Sequence, residues 1–169
     1  IGMTGPVEVQ DLTATRIAFD TNVFGPQRVI RAALPAMRRR KAGLVVNISS
    51  QLGRVIAPSG GHYSATKFAL EALSEQLAYE LAPYGVEVTI IQPGGYPTKV
   101  WVNRNRYNLE LKGRIDAERK AGYGALVERM GTETGGGRTA DVLDVPRAIA
   151  EVAALPPGSR PLRRAVHPG

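Results

Sequence analysis

Tyr63 and Lys67 stand four residues apart in Tyr63-Ser64-Ala65-Thr66-Lys67, and Ser50 precedes the tyrosine by 13 positions. On a helix, residues four apart share a face, one turn from each other. A phenol, an ammonium and a hydroxyl brought together suit proton transfer to a carbonyl or from an alcohol. A free tyrosine, with a pKa of about 10, is a poor base at neutral pH. A neighbouring ammonium favours the phenolate and lowers that value. Removing a proton is half of an alcohol oxidation. The hydride must pass to a cofactor, because protein side chains do not accept it.

Six tyrosines and five lysines among 169 residues give about 0.2 such pairs by chance. The pair alone is therefore weak, and its surroundings carry the argument. Leu44-Val45-Val46-Asn47-Ile48 is a β-rich run, apolar at nearly every position, as in a parallel strand buried on both faces. It leads into Ser49-Ser50 and a loop with Gly53, Pro58, Gly60 and Gly61. Residues 63–84 read as a helix with Phe68, Leu70, Leu73, Leu77 and Leu81 on its apolar face. Residues 86–92 form a second buried strand, broken by Pro93-Gly94-Gly95-Tyr96-Pro97. In open α/β sheets, ligands bind beyond the carboxyl ends of the strands, and the trio is expected to converge near one such end.

The remaining elements follow from periodicity. Residues 11–41 read as a helix kinked at Gly25-Pro26 and Pro35, with Arg38-Arg39-Arg40-Lys41 closing its last turn and Gly43 stopping it. Residues 103–130 are polar and helical, and residues 131–137 form a break. Residues 144–155 are a short helix capped by Asp144, and residues 163–166 a last strand. The alternation predicts a single α/β domain over residues 1–169, with a parallel sheet of about three strands and flanking helices.

Val46-Asn47-Ile48-Ser49-Ser50-Gln51-Leu52-Gly53, Tyr63-Ser64-Ala65-Thr66-Lys67 and Pro93-Gly94 with Thr98 together resemble the short-chain dehydrogenase/reductase family. The resemblance covers most of residues 1–100. It implies a Rossmann-like, doubly wound fold and an NAD(P)-dependent interconversion of a secondary alcohol and a ketone. Ser50 would orient the substrate, Tyr63 would act as general acid/base, and Lys67 would hold the cofactor ribose and lower the tyrosine pKa. Asn22 matches the asparagine that completes the family's proton relay. Pro93, Gly94 and Thr98 match the segment beside the nicotinamide, while Gln51, Gly95 and Tyr96 would border the substrate. Residues 100–137 match the variable segment that often forms a lid. The cofactor would be NAD or NADP, with NADP slightly preferred. The family's glycine-rich turn and its Asn-Ala-Gly segment do not occur in residues 1–169, so the C-terminal portion of the fold is expected here. The N-terminal mononucleotide-binding half, on the order of 80 residues, is expected outside it. The resemblance further implies a homodimer or homotetramer through helices 11–41 and 63–84.

Composition narrows the alternatives. With no cysteine and two histidines, disulfides, thiolate sites and a histidine-rich metal site are excluded. No apolar run approaches the roughly 20 residues of a membrane span. The lack of cysteine suits a reducing compartment, and a cytoplasmic protein is expected. The net charge of +7 is spread along the chain rather than gathered in a patch, which argues against a nucleic-acid partner. His62 is expected as a solvated helix start and His167 as inert. Trp101, Tyr107 and Tyr123 would line a cavity or pack the lid, and Gly135-Gly136-Gly137 would be a loop. A non-catalytic interaction module, or an inactive fragment keeping the fold, is the second function class. Nicotinamide-cofactor titration separates the two.

Overall fold

The computed structural model describes residues 2–133, 135 and 137–167. Ile1, Thr134, Gly136, Pro168 and Gly169 lie outside the described residues, and the expected triple-glycine loop falls partly on them. α1 (Leu12–Phe19), a π-helical turn (Asp20–Phe24) and α2 (Gly25–Arg39) lead to β1 (Gly43–Ile48). A 3-10 turn (Gln51–Gly53), α3 (Gly61–Leu81), a second 3-10 turn (Ala82–Tyr84) and β2 (Val86–Pro93) follow. α4 (Val100–Arg114), α5 (Ala117–Glu128), α6 (Asp144–Ala154) and β3 (Arg163–Val166) complete the order.

The three strands form one parallel sheet in the order β1-β2-β3, with Gly43 opposite Val86 and Ile90 opposite Arg163. On one face Val45, Val86 and Val88 pack against Leu34 and Met37 of α2 and Leu77 and Leu81 of α3. On the other, Ile91 and Val166 pack against Ala148 and Val152 of α6. Helices on both faces make this the expected Rossmann-like α/β fold. Ile90 and Ile91 on the middle strand are fully buried, each contributing about 2–3 kcal/mol by leaving water. A third cluster joins Val9 to Leu111 of α4, Val127 of α5 and Met130.

Several local expectations are corrected. β1 is the outer of the three described strands, covered on one face through Val45 and on the other through Val46, while Ile48 at its end remains 41% exposed. The helical break precedes Pro26 as the π-helical turn, with the Gly25 N–H donating five residues back to Asp20. The helix runs through Pro35. Lys41 (φ 52°), not Gly43, takes the left-handed residue after α2, because Gly43 already belongs to β1. Asp144 is the first residue of α6 rather than its cap. Asp141 ties that turn, accepting from the Leu143 N–H at 2.9 Å and from Arg147 at 2.7 Å. The polar stretch is two helices, divided at Ile115, with Asp116 capping α5 through the Arg119 N–H.

Gly85 (φ 64°) turns the chain from α3 into β2, where a Cβ would stand 2.5 Å from the Lys41 carbonyl oxygen. Gly85→Ala is therefore expected to destabilise the fold by about 1–3 kcal/mol. Urea unfolding checks this, and an unchanged midpoint would contradict the geometry.

Candidate active site

β1 and β2 end side by side, and the Ser49 N–H extends the pairing by donating to the Ile91 carbonyl at 2.8 Å. The chain then turns sharply. Ser50 is extended, and its hydroxyl accepts from the Leu52 N–H at 3.1 Å, opening the 3-10 turn. The same hydroxyl faces the Tyr63 phenol in the first turn of α3. Lys67, one turn on, places Nζ 5.8 Å from the Tyr63 ring centroid and donates to the Ile48 carbonyl at 2.9 Å. Strand end, serine, tyrosine and lysine thus meet where their spacing implied.

The electrostatics differ from expectation. Burial pushes the Tyr63 phenol above the usual tyrosine range, opposed by its hydrogen bond to Ser50 and by the Arg104 guanidinium. A cation that favours the phenolate is thus supplied by Arg104 of α4. Burial outweighs it, so the phenol stays protonated at neutral pH. Burial also draws the Lys67 ammonium down to about 8, with the Glu71 carboxylate opposing.

Asn22 lies buried in the π-helical turn and donates to Thr66 Oγ1 at 3.0 Å, one residue from Lys67 in sequence. The Gly94 N–H donates to the Val166 carbonyl at 2.9 Å, which fixes the strand-end loop after Pro93. Thr98 is exposed, its hydroxyl accepting from the Val100 N–H at 3.3 Å. Gln51 pairs through Oε1 with His167 Nε2 at 2.6 Å. Tyr96 is placed differently from expectation. Its ring is buried with Ile91, Ala148 and Val152, because the loop folds back over the sheet, so its backbone rather than its side chain borders the loop. Gly95 is covered: a Cβ there would meet Arg138 Nε at 2.8 Å and Trp101 at 3.6 Å. His62 is no solvated cap, since it bridges Thr15 Oγ1 at 2.6 Å and the Val7 carbonyl at 3.2 Å.

Two groups escaped the sequence. Glu71 is buried one turn beyond Lys67 and accepts from Gln92 Nε2 at 2.8 Å and Arg163 Nε at 2.9 Å, joining α3, β2 and β3. Arg163 also pairs with Glu75. The run Tyr63, Lys67, Glu71, Glu75 at spacings of four was the available signal. The other group is Arg104, which lies in a segment legible only as polar. Among the described residues, no group of three His, Asp or Glu could hold a metal ion, and no helix is long and apolar enough to cross a membrane.

Fold and strand-end site place the chain among Rossmann-like α/β proteins. Residues 1–108 match the family described as short chain dehydrogenase, and the chain belongs to that family. The 3-ketodihydrosphingosine reductase of Bacteroides thetaiotaomicron is 39% identical over 105 residues, 62% of this chain and 39% of that protein. A short-chain dehydrogenase from Streptomyces avermitilis superposes with a TM-score of 0.74 at 33% identity, over 98% of this chain and 56% of that one. One from Burkholderia cenocepacia, solved in complex with NADP, superposes with a TM-score of 0.55 at 34% identity, over 61% of this chain and 44% of that one. This chain therefore spans well under two thirds of each of these proteins.

Proposed function

We propose that the protein is an NAD(P)-dependent oxidoreductase interconverting a secondary alcohol and a ketone, with Tyr63 as general acid/base. The carrying observation is the Tyr63 phenol facing the Ser50 hydroxyl, with Lys67 Nζ 5.8 Å from its ring centroid, at the ends of two adjacent parallel strands. In ketone reduction, Ser50 holds the carbonyl oxygen while Tyr63 donates its proton to that oxygen. In oxidation the same phenolic oxygen accepts the alcohol proton. Asn22 and Lys67 lie on the proton's route to water. A phenol, an ammonium and the open Thr98 hydroxyl beside Pro93 and Gly94 fit the ribose–nicotinamide end of the cofactor. Bound NAD or NADP, with NADP slightly preferred, supplies or accepts the hydride. Gln51, Gly95 and the Tyr96 backbone border the substrate, and residues 100–137 cover it.

The wider biology belongs to the same reading. Leu12, Ile17, Phe24 and Val29 on the 11–41 helical stretch, with Phe68 and Leu73 on α3, are exposed. Their exposure fits a homodimer or homotetramer that covers them between copies. The cell compartment assigned is the cytoplasm. Titration with NADH and NADPH, followed by ketone reduction at 340 nm, tests the function. Saturable cofactor binding with turnover supports it. Absence of both returns the chain to an interaction module or inactive fragment.

The Lys67 value sets a pH dependence. The ammonium is present below about 8 and lost above it, so kcat/KM for reduction is expected to fall as pH rises through about 8. The Lys67→Arg variant, which stays charged, is expected to lose that fall. A profile flat to about pH 10 would contradict it. Stability moves the opposite way. The unfolded lysine titrates at about 10.4, so between about 8 and that value the unfolded chain holds the extra proton and stability rises with pH.

A further inference from the structure

α4 turns Arg104, Asn105 and Asn108 inward beside Trp101 and the core residue Leu111. Val102 and Leu109 are 69% and 55% exposed, while Trp101, Arg104, Asn105 and Asn108 recur at helical spacing on the inner side. Three members of that stripe have partners. Trp101 Nε1 donates to the Tyr96 carbonyl at 2.6 Å, Asn105 donates to the Glu133 carbonyl, and Asn108 accepts from the Thr4 N–H at 3.0 Å. Arg104 has none: its Nε is buried, and it makes no hydrogen bond or ion pair among the described residues. Its guanidinium carbon lies 4.5 Å from the Trp101 ring centroid, and that of Arg138 lies 3.9 Å from the same ring. Glu133 is already engaged, accepting from Arg138 at 3.1 Å and from the Gly135 N–H at 3.2 Å. Two guanidinium groups and one carboxylate leave the cluster one positive charge in excess.

A guanidinium stacked on an indole keeps its N–H edge directed in the ring plane, the geometry that grips a carboxylate through two parallel bonds. The excess charge also sits beside the reacting group, since Arg104 acts on Tyr63 and Trp101 rests on the strand-end loop. We propose that Arg104, stacked on Trp101, anchors a substrate carboxylate, so that the compound presented to Tyr63 is a hydroxy acid or its oxo acid. The substrate role rests on the oxidoreductase function proposed above, whereas the anion site itself does not.

Trp101 is the chain's one tryptophan and reports the site directly. The protein is titrated by tryptophan fluorescence at constant ionic strength with 3-hydroxybutyrate, its methyl ester and inorganic phosphate. Saturable binding of the carboxylate at least about tenfold tighter than the ester or phosphate is expected. Arg104→Met is expected to weaken carboxylate binding by at least about tenfold. Ester binding and the unfolding midpoint should stay unchanged, and Arg104→Lys should recover part of the loss. Equal binding of acid and ester, an unaffected Arg104→Met variant, or no saturable response to the carboxylate would overturn the anchor. Tighter binding of phosphate would overturn it too, in favour of a cofactor phosphate site. The two readings fail separately. Carboxylate binding without turnover of any alcohol or ketone sinks the oxidoreductase and keeps the anchor. Turnover of neutral ketones that is indifferent to Arg104 does the reverse.

Discussion

Tyr63→Phe is expected to lower kcat for ketone reduction by about 10²–10⁴-fold, the range for loss of a positioned general acid. The substitution removes one oxygen and keeps the ring against Lys67 and beside Gly2. Ser50 keeps its bond from the Leu52 N–H, so the 3-10 turn is held without the phenol. The unfolding midpoint should therefore stay close to that of the parent, and the loss should lie in kcat. Because burial keeps the phenol protonated, the parent enzyme should reduce ketones at neutral pH more readily than it oxidises alcohols. The measurement is steady-state reduction of a ketone panel by parent and variant, with urea unfolding alongside. A variant within a few-fold of the parent would remove Tyr63 from the mechanism.

Arg163→Met is expected to cost about 3–5 kcal/mol of stability, as when one partner of a buried ion pair is removed. Arg163 lies on β3 and reaches across to the buried Glu71 at 2.9 Å and to Glu75. Without it, Glu71 keeps the Gln92 amide at 2.8 Å but faces the interior as an uncompensated carboxylate. Glu71→Gln, Arg163→Met as a double variant should recover much of the loss, because no buried charge is then stranded. Urea unfolding of the parent, both single variants and the double variant closes the cycle. A single Arg163→Met loss below about 1 kcal/mol, the worth of a surface pair, would show that the network is solvated.

The trio of Ser50, Tyr63 and Lys67 was legible because its geometry is local. Tyr63 and Lys67 share a helix face by spacing alone, and Ser50 follows a strand whose composition marks its end. β2 was equally plain, since a continuous apolar run bounded by glycine and proline has few other uses. What stayed hidden depends on partners distant in sequence. Glu71 reads as a solvated helix residue until Arg163, 92 positions away, is folded onto it. Tyr96 reads as a site residue until the loop turns its ring into the core beneath α6. Arg104 reads as one more surface charge on a polar helix until α4 is laid over the strand ends with that face inward.

The sequence by itself determined the element order, the parallel sheet and the meeting of Ser50, Tyr63 and Lys67, because backbone periodicity and short-range spacing decide these. The tertiary structure alone decided the electrical state of the trio. Desolvation and the surrounding charges are properties of packing, and packing put burial around Tyr63, the Ile48 carbonyl at Lys67, and the Arg104 charge within reach of the phenol.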